Sequence, residues 1–273
     1  MTLEVAFRVG EGKRAKINGT AVPSLERVRA AASTLVFTPD RLAVVKAGPA
    51  VRRAYVDRVT QRLYPARATL ASEYGETLAQ RNAALRRAAA GSAGSDTVAP
   101  WSERLVEAAS ALSDARAAVI EALSTGFTES AGELGLAGAG IAYNPSPVTA
   151  DVLGERFAAD LERGLTGVGP HHDEVRITAG GRELRTHGSQ GEQRVAVLAL
   201  LLAEAQLLAE RRGVPPLLLL DDVLSELDGD RRTALVSRMR GDSQVLVTAA
   251  ATGALPGEPD QLLEVTPGRV RVA

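Results

Sequence analysis

The feature that most constrains the fold is an uninterrupted apolar run, Leu217 to Leu220, followed at once by Asp221 and Asp222. A strand without polar residues has to be buried on both faces, as strands are in the centre of a parallel sheet. Ligands of open α/β sheets bind beyond the carboxyl ends of such strands, and the hard oxygens of carboxylates suit Mg²⁺. The run therefore predicts a ligand site at Asp221 and Asp222, although a strand that simply ends in polar residues would read the same way.

The segments around this run have the pattern of an α/β domain. Strands that alternate with helices favour a parallel sheet built from β-α-β units. The predicted elements are strand Glu174–Thr178, a turn at Gly180 and Gly181, helix Glu192–Arg212, strand Leu217–Leu220, helix Arg231–Met239 and strand Gln244–Thr248.

The first residues predict a small β segment that leads into a helical region. Its signals are alternating apolar residues at Leu3, Val5, Phe7 and Val9, a turn at Glu11 and Gly12, apolar Ala15 and Ile17, and the turn pair Asn18 and Gly19. A second apolar run, Thr34–Phe37, precedes Pro39, a residue that suits the first turn of a helix.

From about residue 49 to residue 163 the apolar residues follow the helical period. One pattern covers Pro49–Ala90 and another covers Val98–Leu123, with a Gly- and Ser-rich loop at 91–95, so we predict an antiparallel hairpin of two long helices. A third helix is predicted over Ala150–Arg163. The predicted domains are a head of residues 1–48 and 165–273 and an inserted helical arm of residues 49–164.

Composition limits the class of protein. With 273 residues and 45% hydrophobic residues, the chain can bury a substantial core. Cysteine is absent, which excludes disulfides and thiolate metal sites. The first residues contain no apolar signal region and no span approaches 18 apolar residues, so a cytoplasmic location is expected. At a net charge of −1, affinity for nucleic acid would need a local basic patch.

Two further motifs accompany the Asp pair. Downstream, Ser225-Glu-Leu-Asp228 and Arg231-Arg232 follow directly, and Thr248 closes the next predicted strand. Upstream, Gly188-Ser-Gln-Gly-Glu-Gln193 opens a long helix. Ser189, Gly191 and the exposed amides of the helix N-terminus could hold an anion, and Ser189 and Glu192 also have the spacing of a capping box. These two interpretations are compatible.

Together these segments resemble the Walker B strand, D-loop and signature loop of ABC-type ATPases. The resemblance implies that Asp221 holds Mg²⁺ and that Asp222 orients or deprotonates the attacking water. It further implies that Thr248 senses the γ-phosphate. A second set of residues would contact nucleotide that is held by a partner protomer, and Asp228 would lie at the interface between the two protomers. That set is Ser189, Gln190, Gly191, Glu192 and Asp228.

Four other segments narrow the resemblance to the RecF family, and they occur in that family's order. They are Phe37–Pro49 (FTPDRLAVVKAGP in sequence letters, with Pro49 last), Arg52-Arg53 with Asp57, Tyr74 with Gln80-Arg-Asn82, and Thr166–Glu174. The family usually has Arg where His172 stands and Asp where Glu174 stands, so the roles of these two side chains are open. The implied fold is an incomplete ABC-type ATPase head with an inserted all-helical arm.

The RecF resemblance implies a DNA replication and repair protein that acts in recombinational repair and the SOS response. Its implied ligands are ATP, Mg²⁺ and single-stranded or gapped duplex DNA. Its implied partners are a second copy of the chain, in an ATP-dependent homodimer, and recombination mediator proteins. The family's activity is a weak DNA-dependent ATPase.

The phosphate-binding pattern GxxxxGK[ST], which an ATP site of this class needs, does not occur in the sequence. Gly10-Glu-Gly-Lys13 has the wrong spacing and lies at a predicted hairpin turn. By the resemblance, the P-loop would lie within roughly a hundred residues that precede Met1. We therefore expect either a fragment with an exposed apolar sheet edge or a naturally shortened form. A truncated DNA-binding or protein-interaction module is the alternative function, and a transporter nucleotide-binding subunit is disfavoured by the length of the helical region.

Two smaller hypotheses concern basic and metal-binding residues. Arg52, Arg53, Arg86 and Arg87 are candidate contacts to DNA phosphates, although solvated helix faces carry such pairs routinely. His171, His172 and Asp173 contain the ligand types of a Zn²⁺ site. Neighbouring side chains on a strand point to opposite faces, which disfavours a shared ion.

Overall fold

A computed structural model describes residues 2–7, 10, 12–23, 33–225, 227–239, 243–250 and 256–273. The chain forms two compact units. We call Met1–Asp40 with Val214–Ala273 the sheet unit, and Arg41–Gly213 the helical unit. These units do not follow the head (1–48 and 165–273) and arm (49–164) of the sequence analysis, which remain a prediction.

The described residues form strands and helices in mixed order. The strands are β1 (Leu3–Ala6), β2 (Arg14–Ile17), β3 (Thr20–Val22), β4 (Thr34–Phe37), β5 (Ala139–Asn144), β6 (Glu174–Ala179), β7 (Arg182–Glu183), β8 (Leu217–Asp221), β9 (Val245–Thr248), β10 (Leu263–Thr266) and β11 (Arg269–Val272). The helices are α1 (Ala43–Lys46), α2 (Pro49–Leu63), α3 (Leu70–Ala89), α4 (Ala99–Glu133), α5 (Ala150–Glu155), α6 (Phe157–Arg163), α7 (Leu184–His187), α8 (Gln190–Arg212) and α9 (Gly229–Met239).

The predicted buried parallel strand is confirmed in the sheet unit. Strand β8 lies between β4 and β9, and both pairings are parallel. Leu218 and Leu220 are buried, and Leu220 lies opposite Phe37 on one side and Val247 on the other. Leu218 and Leu220 point to the buried face, whereas Leu217 and Leu219 on the other face are partly exposed. The polar residues that follow the strand are thereby fixed at its carboxyl end.

Two antiparallel arrangements complete the sheet unit. Strands β1, β2 and β3 form a meander, and β10 and β11 form a hairpin. The predicted turn pair joins β2 to β3, and both residues have positive φ, 48° at Asn18 and 81° at Gly19. Asn and Gly tolerate this left-handed conformation best, and two-residue hairpin turns require it. The predicted positions Val9 and Glu11 lie outside the described residues.

The helical unit contains the predicted pair of long helices, α3 and α4, which pack against each other. Three helices differ from their predicted extent. The pattern over Pro49–Ala90 is divided into α2 and α3 because Pro65 interrupts it, since proline lacks the amide that a continuing helix needs. Helix α4 is 35 residues long and extends ten residues past Leu123, where Phe127 and Ala131 are buried. The predicted third helix is divided into α5 and α6.

A three-stranded antiparallel sheet also belongs to the helical unit. Strand β6 was predicted, whereas β5 was not, and the two pair from Ala139 opposite Ala179 to Asn144 opposite Glu174. Helix α8 packs against α4 with an almost continuous buried run from Val195 to Leu201. In the described part of the chain, every helix is too short or too polar to span a bilayer.

Candidate functional site

The loop after β8 presents two exposed carboxylates on a buried support. Asp221 is the last residue of β8, and Asp222 follows with φ of 49°. Val223 and Leu224 are completely buried, which anchors the loop. A left-handed conformation is uncommon for a non-glycine residue but is tolerated by Asp and Asn. Apolar anchoring therefore keeps the Asp222 carboxylate in solvent while its backbone makes a sharp turn.

Thr248 joins the two acidic residues. Its hydroxyl donates to Asp221 Oδ1 at 2.6 Å, and its oxygen accepts the Asp222 amide at 3.1 Å. The parallel register explains this, because Asp221 lies opposite Thr248 at the carboxyl edge of the sheet. Three residues predicted separately from the sequence thus form one cluster.

The cluster has the donor chemistry of a magnesium site completed by a phosphorylated ligand. The two exposed carboxylates offer hard oxygens, and one oxygen of Asp221 is already fixed by Thr248. Among the residues that the structure describes, no group of three acidic, His or Cys side chains could hold a metal ion. Mg²⁺ needs no such group, since it commonly takes one or two carboxylates, substrate phosphates and water. The residues present fit that ion.

The segment after the loop caps helix α9. Asp228 Oδ1 accepts the Arg231 amide at 2.9 Å, and Asp228 Oδ2 lies 3.4 Å from the Arg231 guanidinium. Ser225 Oγ donates to the Asp222 carbonyl at 3.1 Å, which ties this segment to the acidic loop. Asp228 is exposed, whereas Leu227 is buried. Glu226 lies outside the described residues. Capping explains why Asp228 stands here, and its nucleotide contact stays a prediction.

The predicted capping box at the start of α8 is confirmed. Ser189 Oγ accepts the Glu192 amide at 3.2 Å, and Glu192 Oε2 accepts the Ser189 amide at 2.7 Å. Ser189 and Gln190 are exposed, and Gly191 is partly exposed. The first turn of a 23-residue helix therefore faces solvent with a positive dipole end, as an anion site requires. A contact of Ser189, Gln190, Gly191 or Glu192 with nucleotide remains a prediction.

The four arginines predicted to contact DNA lie in two different environments. Arg52 is buried, donates to Glu174 Oε1 from Nε at 3.1 Å and from Nη2 at 2.6 Å, and donates to the Ala47 carbonyl. Arg53 donates to the Asp173 carbonyl at 2.8 Å. Arg86 and Arg87 are exposed on α3. Because the Arg52 guanidinium is enclosed and paired, we do not carry Arg52 forward as a phosphate contact.

The segment Thr166–Glu174 is the centre of a buried polar network. Arg116 donates to Asp57 at 2.8 and 3.0 Å and to Asp173 at 2.9 Å. Arg81 donates to Asp160 at 2.9 Å and to Thr166 at 2.7 Å. The family motifs pointed to Asp57, Arg81 and Thr166, whereas Arg116 and Asp160 carried no sequence signal apart from being charged residues in apolar helix faces.

His171 and Asp173 take part in this network. Tyr74 Oη and His171 Nδ1 are 2.6 Å apart, and His171 Nε2 lies 3.1 Å from the Thr166 carbonyl. Burial lowers the pKa of His171 below its ordinary value, so Nε2–H donates to the carbonyl and Nδ1 accepts from Tyr74. Asp173 accepts from Arg116, Tyr143 and the Ser146 amide. These partners give both residues a structural role in place of the metal-binding alternative.

Comparison with known proteins gives consistent matches over nearly the whole chain. The chain is 36% identical over 269 residues to the DNA replication and repair protein RecF of Geobacter sulfurreducens, covering 92% of this chain and 72% of that protein. It is 34% identical over 270 residues to RecF of Myxococcus xanthus, with 92% and 70% covered. No protein-family profile matches.

Solved structures give the same result for the fold. A structure described as the recombination mediator protein RecF-ATP in the RecFOR pathway matches with a TM-score of 0.80 and 25% identity, covering 99% of this chain and 75% of that one. The Smc head domain of Pyrococcus furiosus matches with a TM-score of 0.50 and 14% identity, covering 96% and 68%. The predicted ABC-type ATPase fold is therefore confirmed, although the arm predicted to be all-helical contains strand β5.

Proposed function

Since the chain belongs to the RecF family of DNA replication and repair proteins, we propose that it acts in ATP-dependent binding of single-stranded or gapped DNA during recombinational repair and the SOS response. The observation that carries the proposal is the cluster of Asp221, Asp222 and Thr248 at the carboxyl end of β8. Its chemistry suits phosphoryl transfer, and the relative with known structure is described with ATP.

Each residue of the cluster has a role in this proposal. Asp221 holds Mg²⁺, with its second oxygen fixed by Thr248. Asp222 accepts a proton from, or orients, the attacking water, because its carboxylate is exposed beside Asp221. Thr248 links both residues to β9 and senses the state of the phosphate. When bound, Mg²⁺ neutralises charge on the phosphates that react.

The signature residues belong to a second half of the proposed site. Four of them bind nucleotide that is held by a second copy of the chain, namely Ser189, Gln190, Gly191 and Glu192. Asp228 lies at the interface between the two copies. This arrangement makes the homodimer dependent on ATP. Support comes from the exposed N-terminal turn of α8, whose amides and dipole favour a phosphate. Recombination mediator proteins are the proposed protein partners, and the cytoplasm is the proposed location.

The first test measures binding of labelled gapped duplex DNA by the 273-residue protein, with and without Mg²⁺ and ATP. Because the sequence lacks a P-loop pattern, we expect DNA binding by this protein alone, and DNA binding that ATP strengthens once a P-loop portion is joined to it. DNA binding that ignores ATP in the joined protein as well, combined with no ATP binding in a direct assay, would instead support a non-catalytic DNA-binding module. Absence of DNA binding under both conditions would contradict the proposal.

A second test addresses the acidic cluster in a protein that joins a P-loop portion to these residues. Asp222→Asn is expected to lower ATP turnover by about 100-fold or more, because a positioned general base contributes at that scale. ATP affinity should be retained. Asn is the appropriate substitute, since it tolerates the positive φ of this position. Unchanged turnover would exclude the role given to Asp222.

A further inference from the structure

Beyond the nucleotide site, the helical unit carries a basic surface that the sequence analysis did not identify. It is formed where the end of α2 meets the end of α8. We call it the Tyr64 patch, and it consists of Arg58, Arg62, Tyr64, Arg67 and Arg211. Arg58, Arg67 and Arg211 are exposed, and Tyr64 is partly exposed.

Tyr64 holds two of these arginines in place. The Arg211 guanidinium lies over the Tyr64 ring at 4.2 Å from its centroid and donates to its hydroxyl at 2.8 Å. Arg67 lies 5.0 Å from the same centroid. A guanidinium on an aromatic ring loses little of its charge to the contact, because the ring offers no counter-ion. The patch therefore presents two exposed cations that are held beside one aromatic ring.

The interior beneath the patch does not neutralise it. Glu204 is completely buried and forms an ion pair with Arg62. Arg41 interacts electrostatically with Glu204, Arg62 and Arg58. The pKa of Arg41 is lowered, and burial is the main cause. The neighbouring Tyr55 is neutral, because burial raises its pKa. One carboxylate thus faces three guanidiniums at this position.

No described residue supplies the missing negative charge. Within the part of the chain that the structure describes, no carboxylate lies within ion-pair distance of Arg58, Arg67 or Arg211. Asp57, on the same helix as Arg58, is occupied by Arg116. Elsewhere in the helical unit buried arginines are paired with acids, for example Arg81 with Asp160. The Tyr64 patch is therefore a local excess of positive charge on a chain of net charge −1.

We propose that the Tyr64 patch binds the phosphate backbone of DNA. Arginine forks match phosphate oxygens bidentately, and a patch this basic on a nearly neutral chain supplies the local field that DNA binding needs. The inference rests on the proposed function, and it assigns the contact to Arg58, Arg67 and Arg211 in place of the buried Arg52. An acidic protein segment is the competing occupant and would leave DNA affinity unaffected by substitution of these residues.

The test compares two triple variants of the 273-residue protein by fluorescence anisotropy with a labelled gapped duplex, over a series of salt concentrations. The patch variant combines Arg58→Ala, Arg67→Ala and Arg211→Ala. The control variant combines Arg104→Ala, Arg163→Ala and Arg176→Ala, all at exposed positions of the same unit. Arg104 is a close match for Arg211, because it lies 5.3 Å from the centroid of the Trp101 ring.

We expect the patch variant to bind DNA about tenfold or more weakly at low salt. The slope of log affinity against log salt should also become shallower by about 0.9 for each lost phosphate contact. The control variant should retain affinity and slope, and both variants should melt like the parent protein because the substituted side chains are exposed.

Three results would overturn the inference. Equal DNA binding by the patch variant and the parent protein would reject the Tyr64 patch while leaving the proposed function intact. Weakening confined to the control variant would transfer the contact to Arg104, Arg163 or Arg176. A parent protein that binds no DNA would reject the proposed function together with this surface.

Discussion

Asp173 in the helical unit and Asp221 in the sheet unit are both carboxylates of family motifs, yet their surroundings are opposite. Asp173 is completely buried and accepts from Arg116, Tyr143 and the Ser146 amide. Asp221 is exposed and accepts one hydrogen bond from Thr248, at 2.6 Å. A buried carboxylate with several donors is committed to the fold, whereas an exposed one with an unoccupied oxygen is available to a ligand. Motif membership alone therefore does not reveal a residue's role.

The contrast between Asp173 and Asp221 is tested most strongly by removing Arg116, the ion-pair partner of Asp173. Arg116→Met should reduce the free energy of unfolding by about 3 to 5 kcal/mol, because it leaves a buried carboxylate without its charge partner. Denaturant unfolding followed by circular dichroism measures this. Asp221→Asn, at the exposed carboxylate, should change the same quantity by about 0.5 kcal/mol or less. Equal losses in the two variants would remove the distinction between the two regions.

A smaller effect is expected from a single hydrogen bond to Asp173. Tyr143 donates to its Oδ2, so Tyr143→Phe should cost about 1.5 to 3 kcal/mol, the range for hydrogen bonds to charged groups. The matched control is Tyr64→Phe, which removes a hydroxyl that accepts from the exposed Arg211. Its cost should stay below about 1 kcal/mol. If both variants unfold at the same denaturant concentration, Asp173 is not the strongly held group described above.

The sheet unit can be tested by separating backbone effects from charge effects at Asp222. Because its φ is 49°, Asp222→Ala should destabilise the protein by about 1 kcal/mol relative to Asp222→Asn. Both variants lack the charge, so their difference reports only the left-handed backbone. Thermal melts of the pair provide the measurement. Identical melting temperatures would mean that the loop changes conformation in the Ala variant.

The sequence predicted the sheet unit better than the helical unit, and the reason is physical. Strand β8 and its neighbour β9 were predicted to within one residue, because continuous apolar runs ending in polar residues have few alternatives. Strand β5 was missed, since its pairing with β6 depends on residues about 35 positions away. Arg116 and Asp160 were missed for the same reason, because a buried ion pair leaves no local pattern.

The candidate site residues also divide into those that a local pattern predicts and those that depend on distant partners. Asp221, Asp222 and Thr248 were each predicted from strand ends, and the parallel register brings them together. By contrast, the charged pair Arg52 and Arg53 suggested a solvated face, whereas the structure buries Arg52 against Glu174. A run of two basic residues on a helix does not reveal which one faces inward when the partner lies 122 positions further along the chain. Charge alone thus predicts neither burial nor exposure.

The smallest predicted effect concerns a titratable group within the buried network. Burial holds the pKa of His171 below its unfolded value near 6.5, so the folded state binds fewer protons than the unfolded state as the pH falls below that value. Stability from this group is complete above pH 6.5 and is lost progressively as the pH falls toward the folded pKa. The groups that face His171 are Tyr74, His172, Arg53 and Asp173.

We therefore expect the free energy of unfolding to decline as the pH falls below about 6.5, and the decline to be shallower in His171→Gln. Glutamine is the better substitute, because its amide can donate to the Thr166 carbonyl and accept from Tyr74, as the neutral imidazole does. Carboxylates titrate mainly around pH 4, so the difference between the two slopes just below about pH 6.5 isolates the histidine. If the free energy of unfolding falls equally steeply with pH in the parent protein and in His171→Gln, then His171 is protonated in the folded protein without cost. His171 would then resemble the exposed Asp221 and not the buried Asp173.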